Sequence, residues 1–179
     1  MLTQNDVKKF NIDNISRLWR PLKDNPKTIQ EKIIWLNIYD IPWSDEYNMP
    51  LKSLCTDKIL MKEYVYNILG ENIAPSTLFV YNNTNEIEWD KLPSKFVIKC
   101  NHDCGSVVIC RDKSNFNKEK CILKLNKYMS IDPTFNIGFE SHYHWINRKI
   151  LIEELLEDAQ HNILKDYKFI CINGNPIYC

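Results

Sequence analysis

A lysine inside an apolar segment marks the first place where this chain could do chemistry. Lys99 belongs to the segment 95–100 (KFVIKC), where strand alternation puts Phe96, Ile98 and Cys100 on one face and Lys99 on the other. A buried ammonium group is costly unless an anion accompanies it. Lys99 is therefore a candidate ligand of a phosphate or a carboxylate. The alternative is a half-exposed strand with Lys99 in solvent.

The loop after this segment could hold the same anion. Gly105 and Ser106 supply a small residue, backbone amides and a hydroxyl group, which together can surround a phosphate. The alternative is an ordinary hairpin loop that contains a glycine.

Charged residues of two other segments are further candidates. Lys58 and Lys62 lie one helical turn apart at the start of a predicted helix, and a solvated helix face is the alternative. Glu153 and Glu154 follow the apolar run 150–152. Their carboxylates could reach the hydroxyl or amino groups of a nucleotide, and a strand end that enters solvent is the alternative.

Cysteine and histidine residues alternate in two places, Cys100-His102-Cys104 and His142-His144. Two readings are open, a zinc site and a cysteine nucleophile with a histidine base. Alternating ligands lack the two-residue spacing of zinc knuckles, and nothing fixes which histidine would be the base. We therefore predict no metal ligands in this chain, and the catalytic residues stay unassigned.

The composition is that of a globular protein of one domain, or of one domain and a small part. The chain has 179 residues, and 23 Lys+Arg balance 23 Asp+Glu. Without excess positive charge, nucleic acid is not an expected partner. No apolar run reaches the roughly 18 residues of a membrane-spanning helix, and the first ten residues are too polar for a signal peptide. Seven cysteines without CxxC spacing indicate reduced thiols, so we expect a cytoplasmic protein.

Helical and strand patterns alternate along the chain. Thr28 and Glu31 have the spacing of a capping box, which predicts a helix that ends near Tyr39. Thr56 is predicted to cap a second helix, which Gly70 closes. The other predicted elements are a strand at 77–81, a hairpin of 95–100 with 106–111, a helix capped by Ser114 or Asn115, a buried strand within 149–156, and a strand at 167–172 that turns back through Asn173-Gly174. The segment 132–147 has no assignment.

The order of these motifs resembles the front half of an ATP-grasp nucleotide-binding unit. In chain order the motifs are Thr56-Asp57-Lys58, the helix end at 70–77, Phe96-Val97-Ile98-Lys99, Gly105-Ser106 and Ile152-Glu153-Glu154. The segment KFVIKCNHDCGS, together with the later segment DYKFICINGNP, is similar to sequences of the TupA-like ATP-grasp family. That family is associated with teichuronopeptide and other bacterial surface-polysaccharide synthesis, and its members are often labelled glycosyltransferases. The resemblance runs from about Ile33 to Cys179.

The resemblance implies an α+β fold of ATP-grasp type, with mostly antiparallel sheets packed with helices. It also implies ATP and Mg²⁺ as cofactors. Lys58 and Lys99 match the two lysines that reach the nucleotide phosphates, and Gly105 and Ser106 match the loop that covers them.

A second group of residues matches the part of the family's site that takes adenine and ribose. This hinge corresponds to Glu153, Glu154 and Leu155. Lys168 falls on the next core strand. The implied organisation is an N-terminal helical segment (1–50), an N-terminal subdomain with the phosphate loop (51–148), and the hinge with the first core strands (149–179).

Two departures from the family pattern stand out. Asp103 and Cys104 occupy a loop that is richer in glycine in the family, and Asp103 would repel a phosphate unless it turned away or held a cation. The family's Mg²⁺ ligands would lie beyond Cys179, and a returning strand opens at Pro176 only a few residues earlier. We therefore expect a fold that is incomplete at its C-terminus.

The activity implied by the resemblance is ATP-dependent ligation of a carboxylate to an amine through an acyl phosphate. The expected partners are a nucleotide and a carbohydrate or peptide-decorated polysaccharide precursor, with a homo-oligomer or a separate C-terminal half as a further partner. One alternative is a polysaccharide-related glycosyltransferase. Another is a non-catalytic remnant that binds a nucleotide or a partner protein.

Overall fold

The structure is a computed structural model that describes residues 1–18, 25–135, 139–158 and 164–179. The helices within these ranges are α1 (Gln4–Leu18), α2 (Ile29–Tyr39), α3 (Leu51–Thr56), α4 (Leu60–Leu69) and α5 (Lys118–Ser130). The strands are β1 (Trp43–Ser44), β2 (Met49–Pro50), β3 (Thr77–Tyr81), β4 (Phe96–Cys100), β5 (Val108–Cys110), β6 (Ile150–Glu153), β7 (Ile170–Ile172) and β8 (Asn175–Tyr178).

The central feature is a four-stranded antiparallel sheet in the order β3-β6-β4-β5. The latest of these strands in the chain, β6, lies between β3 and β4, so that both of its edges are hydrogen-bonded. All four residues of β6 are buried, which confirms the buried strand predicted from the apolar run 150–152. The predicted division of the chain at residue 149 would separate β6 from its sheet neighbours, and that division stays a prediction.

The faces of β4 are as the alternation predicts. Phe96, Ile98 and Cys100 are 0% exposed and pack in the hydrophobic core with Cys121 and Leu125 of α5. The opposite face carries Lys99, which is only half-buried. β4 also forms the predicted hairpin with β5. One face of the sheet is thus covered by α5, and the other presents the charged side chains.

Helix ends were predicted with mixed success. The capping box is confirmed, since Thr28 Oγ1 accepts from the Glu31 amide at 3.2 Å and a Glu31 carboxylate oxygen accepts from the Thr28 amide at 3.0 Å. Thr56 as a cap was wrong, because it ends α3. Instead Asp57 Oδ1 accepts from the backbone amides at the start of α4, Ile59 N at 2.8 Å and Leu60 N at 3.3 Å. Gly70 closes α4 with a φ of 73°.

The start of α5 also differs from the prediction. Its cap is Asn117, whose side chain accepts from the Lys120 amide at 2.8 Å. Ser114 and Asn115 belong to a preceding 3₁₀ turn, in which both donate to the carboxylate of Asp112. The helix begins only at Lys118, so Asn117 rather than Ser114 or Asn115 stands at the cap position.

The hairpin of β7 and β8 turns through Asn173 and Gly174, whose φ values of 50° and 78° are those of the predicted turn. Lys168 lies before β7, its side chain is 86% exposed, and it pairs with Asp166 at 3.6 Å. The prediction that Lys168 falls on a core strand was therefore wrong. The described residues of 164–179 are all exposed, so apolar alternation there does not reflect burial.

Helices combined with antiparallel sheets confirm the α+β prediction. The unassigned segment 132–147 contains two 3₁₀ turns, Pro133–Phe135 and Ser141–Trp145, and residues 136–138 between them lie outside the described part. Among the described helices, none combines the length and the apolar character that crossing a membrane requires.

Candidate functional site

Glu153 lies at the centre of the charged face of the sheet. It ends β6, and its carboxylate forms ion pairs with Lys62 Nζ at 2.5 Å and with Lys99 Nζ. The side chains are 4% exposed for Glu153, 14% for Lys62 and 19% for Lys99. One carboxylate thus serves two ammonium groups, which leaves one positive charge in excess in a largely buried place.

Lys62 is further held by β3 and the turn before it. Its Nζ donates to Pro75 O at 2.7 Å and to Thr77 Oγ1 at 2.9 Å. The interpretation of Lys62 as part of a solvated helix face was wrong, because its side chain is 14% exposed and pairs with Glu153. That partner comes from a strand far along the chain. The available signal was its spacing of one helical turn from Lys58.

Lys58 lies in the turn before α4. Its Nζ donates to the carbonyl oxygens of Asn101, at 3.4 Å, and of Asp103. Burial lowers the pKa of Lys58, the charge of Asp103 opposes this, and the charge of Lys99 lowers the pKa further. The two amines therefore lie within electrostatic range of each other. Their predicted role toward phosphate stays a prediction.

Asn101 ties the parts of this site together. It is 1% exposed, and its side chain donates to Asp57 Oδ2 at 3.1 Å and to Asn147 O at 3.0 Å. Its Oδ1 accepts from the Lys149 amide at 2.8 Å. Sequence reasoning placed Asp57 at the start of this helix but missed its pairing with Asn101. The signal for the pair was an aspartate before a helix and an asparagine directly after a buried strand.

The predicted phosphate loop is closed by its own side chains. Asp103 turns inward, and its Oδ1 accepts from the amides of Gly105 and Ser106, both at 2.7 Å. Ser106 is 0% exposed, and its hydroxyl oxygen accepts from the Cys100 amide at 2.7 Å. The amides and the hydroxyl that the prediction offered to a phosphate already have partners. Phosphate contact here requires the loop to rearrange.

The predicted hinge follows Glu153 directly. Glu154 exchanges two hydrogen bonds with Ser76, donating from its amide to Ser76 O at 3.1 Å and accepting at Oε1 from the Ser76 amide at 2.8 Å. These bonds lower the pKa of Glu154. Leu155 comes next and is half-buried. The structure thus brings Glu153 to Lys99 and Lys62, whereas Glu154 turns to the segment before β3.

Within the described residues, the alternating cysteine and histidine residues are held in separate places. Cys104 Sγ lies 3.2 Å from the Tyr143 hydroxyl, and His144 Nδ1 lies 2.8 Å from Asp132 Oδ2. Burial raises the pKa of Cys100 to about 12, so its thiol is neutral near pH 7 and does not act as a nucleophile in this environment. Cys100 and His102 instead cluster with Asp103.

Comparisons with known proteins give one result. A model of the family described as TupA-like ATP-grasp matches residues 31–179. No curated protein and no solved structure matches the chain significantly. The family carries a nucleotide-binding, ATP-grasp-type function, and the match covers both lysine-bearing segments and Glu153. This chain belongs to the TupA-like ATP-grasp family.

Proposed function

We propose that this chain binds ATP at the charged face of the sheet, around Glu153. Lys58 and Lys99 contact the phosphates. The nucleoside lies beside Glu153, Glu154 and Leu155. The observation that carries the proposal is the pair of lysines held on one buried carboxylate, Glu153, with the Lys58 amine bound to the carbonyl oxygen of Asn101, two residues after Lys99. Family membership supplies the nucleotide class.

Electrostatics favour an anion at this place. Lys62 and Lys99 together carry two positive charges against the single charge of Glu153. Among the residues that the structure describes, the acceptors within hydrogen-bond distance of Lys58 Nζ are neutral carbonyl oxygens. Phosphate oxygens accept charge-assisted hydrogen bonds from ammonium groups, which are roughly twice as strong as neutral ones. A phosphate therefore gives Lys58 a stronger acceptor than the carbonyl groups do, and it offsets the excess positive charge that Lys62 and Lys99 leave beside Glu153.

The proposed reaction is the joining of a carboxylate to an amine. The substrate carboxylate attacks the γ-phosphoryl group of ATP and releases ADP, which leaves an acyl phosphate. The amine then attacks the acyl carbon, and inorganic phosphate leaves as the amide forms. In these steps the lysines position the phosphates and offset their charge, and no side-chain nucleophile takes part.

Mg²⁺, which the family generally uses with ATP, finds no suitable ligands around this lysine cluster among the described residues. Mg²⁺ prefers several oxygen ligands in octahedral geometry. The Glu153 carboxylate is shared by two ammonium groups, and Asp57 is occupied by amide donors. We therefore derive none of the steps above through Mg²⁺.

The acceptor is proposed to be a carbohydrate or peptide-decorated precursor of a bacterial surface polysaccharide. This part rests on the family resemblance. Amide formation from a polysaccharide-derived carboxylate and an amino compound, with one ADP released per bond, is the result that would support it. Transfer of a sugar from a nucleotide sugar without ATP consumption would favour the glycosyltransferase alternative.

The first test is ATP affinity, with and without Mg²⁺, in a matched pair of lysine variants. Lys99→Ala removes the ammonium group held by Glu153, and Lys95→Ala removes an exposed lysine that directly precedes the same strand. Loss of a charge-assisted contact costs roughly 1.5–3 kcal/mol, which corresponds to roughly 10- to 150-fold weaker binding. We expect this loss for Lys99→Ala and unchanged affinity for Lys95→Ala.

Isothermal titration calorimetry gives the affinities, and thermal unfolding establishes that each variant is folded. Equal affinity in the parent and in folded Lys99→Ala would rule out this phosphate site, as would a parent that does not bind ATP at all.

A further inference from the structure

A cluster of three metal-ligating side chains lies at the end of β4, apart from the ion pairs of Glu153. One ligand atom from each of Cys100, His102 and Asp103 lies within 4.8 Å of the others. The three residues are 0%, 0% and 5% exposed. We propose that Cys100, His102 and Asp103 form a binding site for a single Zn²⁺ ion beneath the loop that carries Gly105.

Two buried atoms of this cluster lack a hydrogen-bond partner among the described residues, His102 Nδ1 and Asp103 Oδ2. Buried polar atoms without a partner are rare in folded proteins, because their desolvation is not compensated. A metal ion between the two side chains gives both atoms a partner. The same ion also accounts for the inward direction of Asp103, whose second carboxylate oxygen is buried.

The other atom of each side chain is already held by the protein. His102 Nε2 lies 3.3 Å from Tyr128 O, and Asp103 Oδ1 accepts from the amides of Gly105 and Ser106. A carbonyl oxygen only accepts, so Nε2 carries the hydrogen and the lone pair of the neutral ring lies on Nδ1. Metal-binding histidines are oriented in this way, by a hydrogen bond from the second nitrogen to a backbone carbonyl or carboxylate.

The ligand types favour Zn²⁺ over Mg²⁺ or Ca²⁺. A thiolate and an imidazole suit zinc, whereas the alkaline-earth ions take oxygen ligands. Zinc–ligand bonds of about 2.0–2.3 Å place tetrahedral ligands about 3.5 Å apart, so small side-chain rotations are enough to close this cluster on the ion. Binding forms a Zn–S bond to Cys100 and releases the thiol proton to solvent. Thiolate and carboxylate then balance the charge of the ion.

A tetrahedral ion with three protein ligands has one position left. Asp103 also lines a cavity of about 250 Å³, together with Cys104, Gly105, Tyr128 and Tyr143. Water from this cavity supplies the fourth ligand. The ion would fix the loop in its closed form, and because it needs no nucleotide, this inference does not depend on the proposed function.

The test is zinc binding to the full chain after metal removal by a chelator. Exposed thiols bind zinc adventitiously, so the measurement uses a background in which they are replaced by serine; they are Cys55, Cys104, Cys171 and Cys179. Competition with a chromophoric chelator should give one tightly bound zinc ion per chain. Replacement of zinc by Co²⁺ should give the thiolate-to-cobalt charge-transfer band.

Matched variants identify the ligands. We expect Cys100→Ala to weaken zinc binding by roughly 100-fold and Asp103→Asn by roughly 10- to 100-fold. Asp103→Asn keeps an oxygen for the Gly105 and Ser106 amides. Cys110→Ala removes another buried thiol, 1% exposed, on the neighbouring strand and should leave affinity within about twofold.

Three results would overturn the site. They are the absence of tight zinc binding, cobalt binding without the charge-transfer band, and a folded Cys100→Ala variant with unchanged zinc affinity. Because the second result needs only the chain with its buried thiols intact, the proposal stays testable even if the Cys100→Ala variant does not fold.

Discussion

Two lysine–glutamate ion pairs lie at opposite ends of the segment 95–100, in different surroundings. Lys95 directly precedes β4, Lys99 lies within it, and each pairs with a glutamate that belongs to β6 or follows it. At the outer end Lys95 pairs with Glu157 at 2.7 Å, with side chains 49% and 46% exposed. At the inner end Lys99 pairs with Glu153, with side chains 19% and 4% exposed.

The difference lies in what each pair contributes. Exposed pairs contribute about 0–1 kcal/mol, because water and salt screen them. A buried pair is weak evidence for stability, since desolvation offsets its attraction, but removal of one partner is strongly destabilising. The Lys99–Glu153 pair therefore holds the Lys99 ammonium group in a fixed position and adds little net stability. Held and partly desolvated charge is what a binding site for an anion requires.

Replacing each glutamate in turn is the strongest test of the difference between the two ion pairs. Glu153→Gln leaves Lys62 and Lys99 without a carboxylate, and we expect the free energy of unfolding to fall by about 3 kcal/mol. Glu157→Gln at the outer end should change it by less than about 1 kcal/mol. Urea denaturation measures both. Equal effects of the two substitutions would show that burial does not distinguish the two ends.

A second prediction concerns the loop that leaves the inner end of β4. A Cβ added at Gly105 would lie 2.7 Å from Cε1 and 2.8 Å from Cζ of Tyr128. Gly105→Ala must therefore displace the Tyr128 ring, and overpacking of this kind costs about 1–3 kcal/mol.

The matched test is a double-mutant cycle with Tyr128→Leu, which removes the ring atoms that the new methyl group would meet. Gly105→Ala should cost much less in that background. The same cost in both backgrounds would mean that the ring is not what restricts the loop.

The smallest expected effect concerns Lys58, the third lysine near the inner end. Burial lowers its pKa in the folded state from the ordinary 10.5. Between the lowered pKa and 10.5 the unfolded chain binds more protons at Lys58 than the folded chain, so stability rises with pH through this window. The free energy of unfolding of the parent should therefore increase relative to that of Lys58→Met as pH rises from neutral toward 10.5.

The difference in free energy of unfolding between the parent and Lys58→Met cancels the titration of other groups. Lys95→Met gives the general effect of replacing an exposed lysine. A difference that stays constant with pH, or that moves in favour of the variant, would contradict the lowered pKa.

Local patterns predicted the elements that local interactions decide. The Thr28–Glu31 capping box, the β4–β5 hairpin and the Asn173-Gly174 turn each involve residues close in sequence, and the structure contains all three. The helix that was assigned to Thr56 shows the limit of such patterns. Asp57, one residue later, accepts from the amides of Ile59 and Leu60, while its other carboxylate oxygen is held by Asn101 from another segment.

Non-local pairings explain most of the rest. The spacing of Lys62 is that of a solvated helix face, and only its pairing with Glu153 shows that it is buried. Alternation in 167–172 predicts a strand, but nothing in it indicates that Lys168 is exposed. The inward turn of Asp103 likewise depends on the packing of the whole loop. The resemblance to a family singled out Lys99 and Glu153 as nucleotide-site residues, yet it did not predict that they contact each other.

The position of β6 between β3 and β4 has a consequence for protein synthesis. As the chain leaves the ribosome, β4 and β5 can pair soon after they emerge, whereas the gap between β3 and β4 stays open until residues 150–153 arrive. Until then Lys62 and Lys99 have no carboxylate to share. Late closure of a sheet by a distant segment is slow, since a long loop must be ordered first. The sheet and its charged centre are therefore completed together, in one late step.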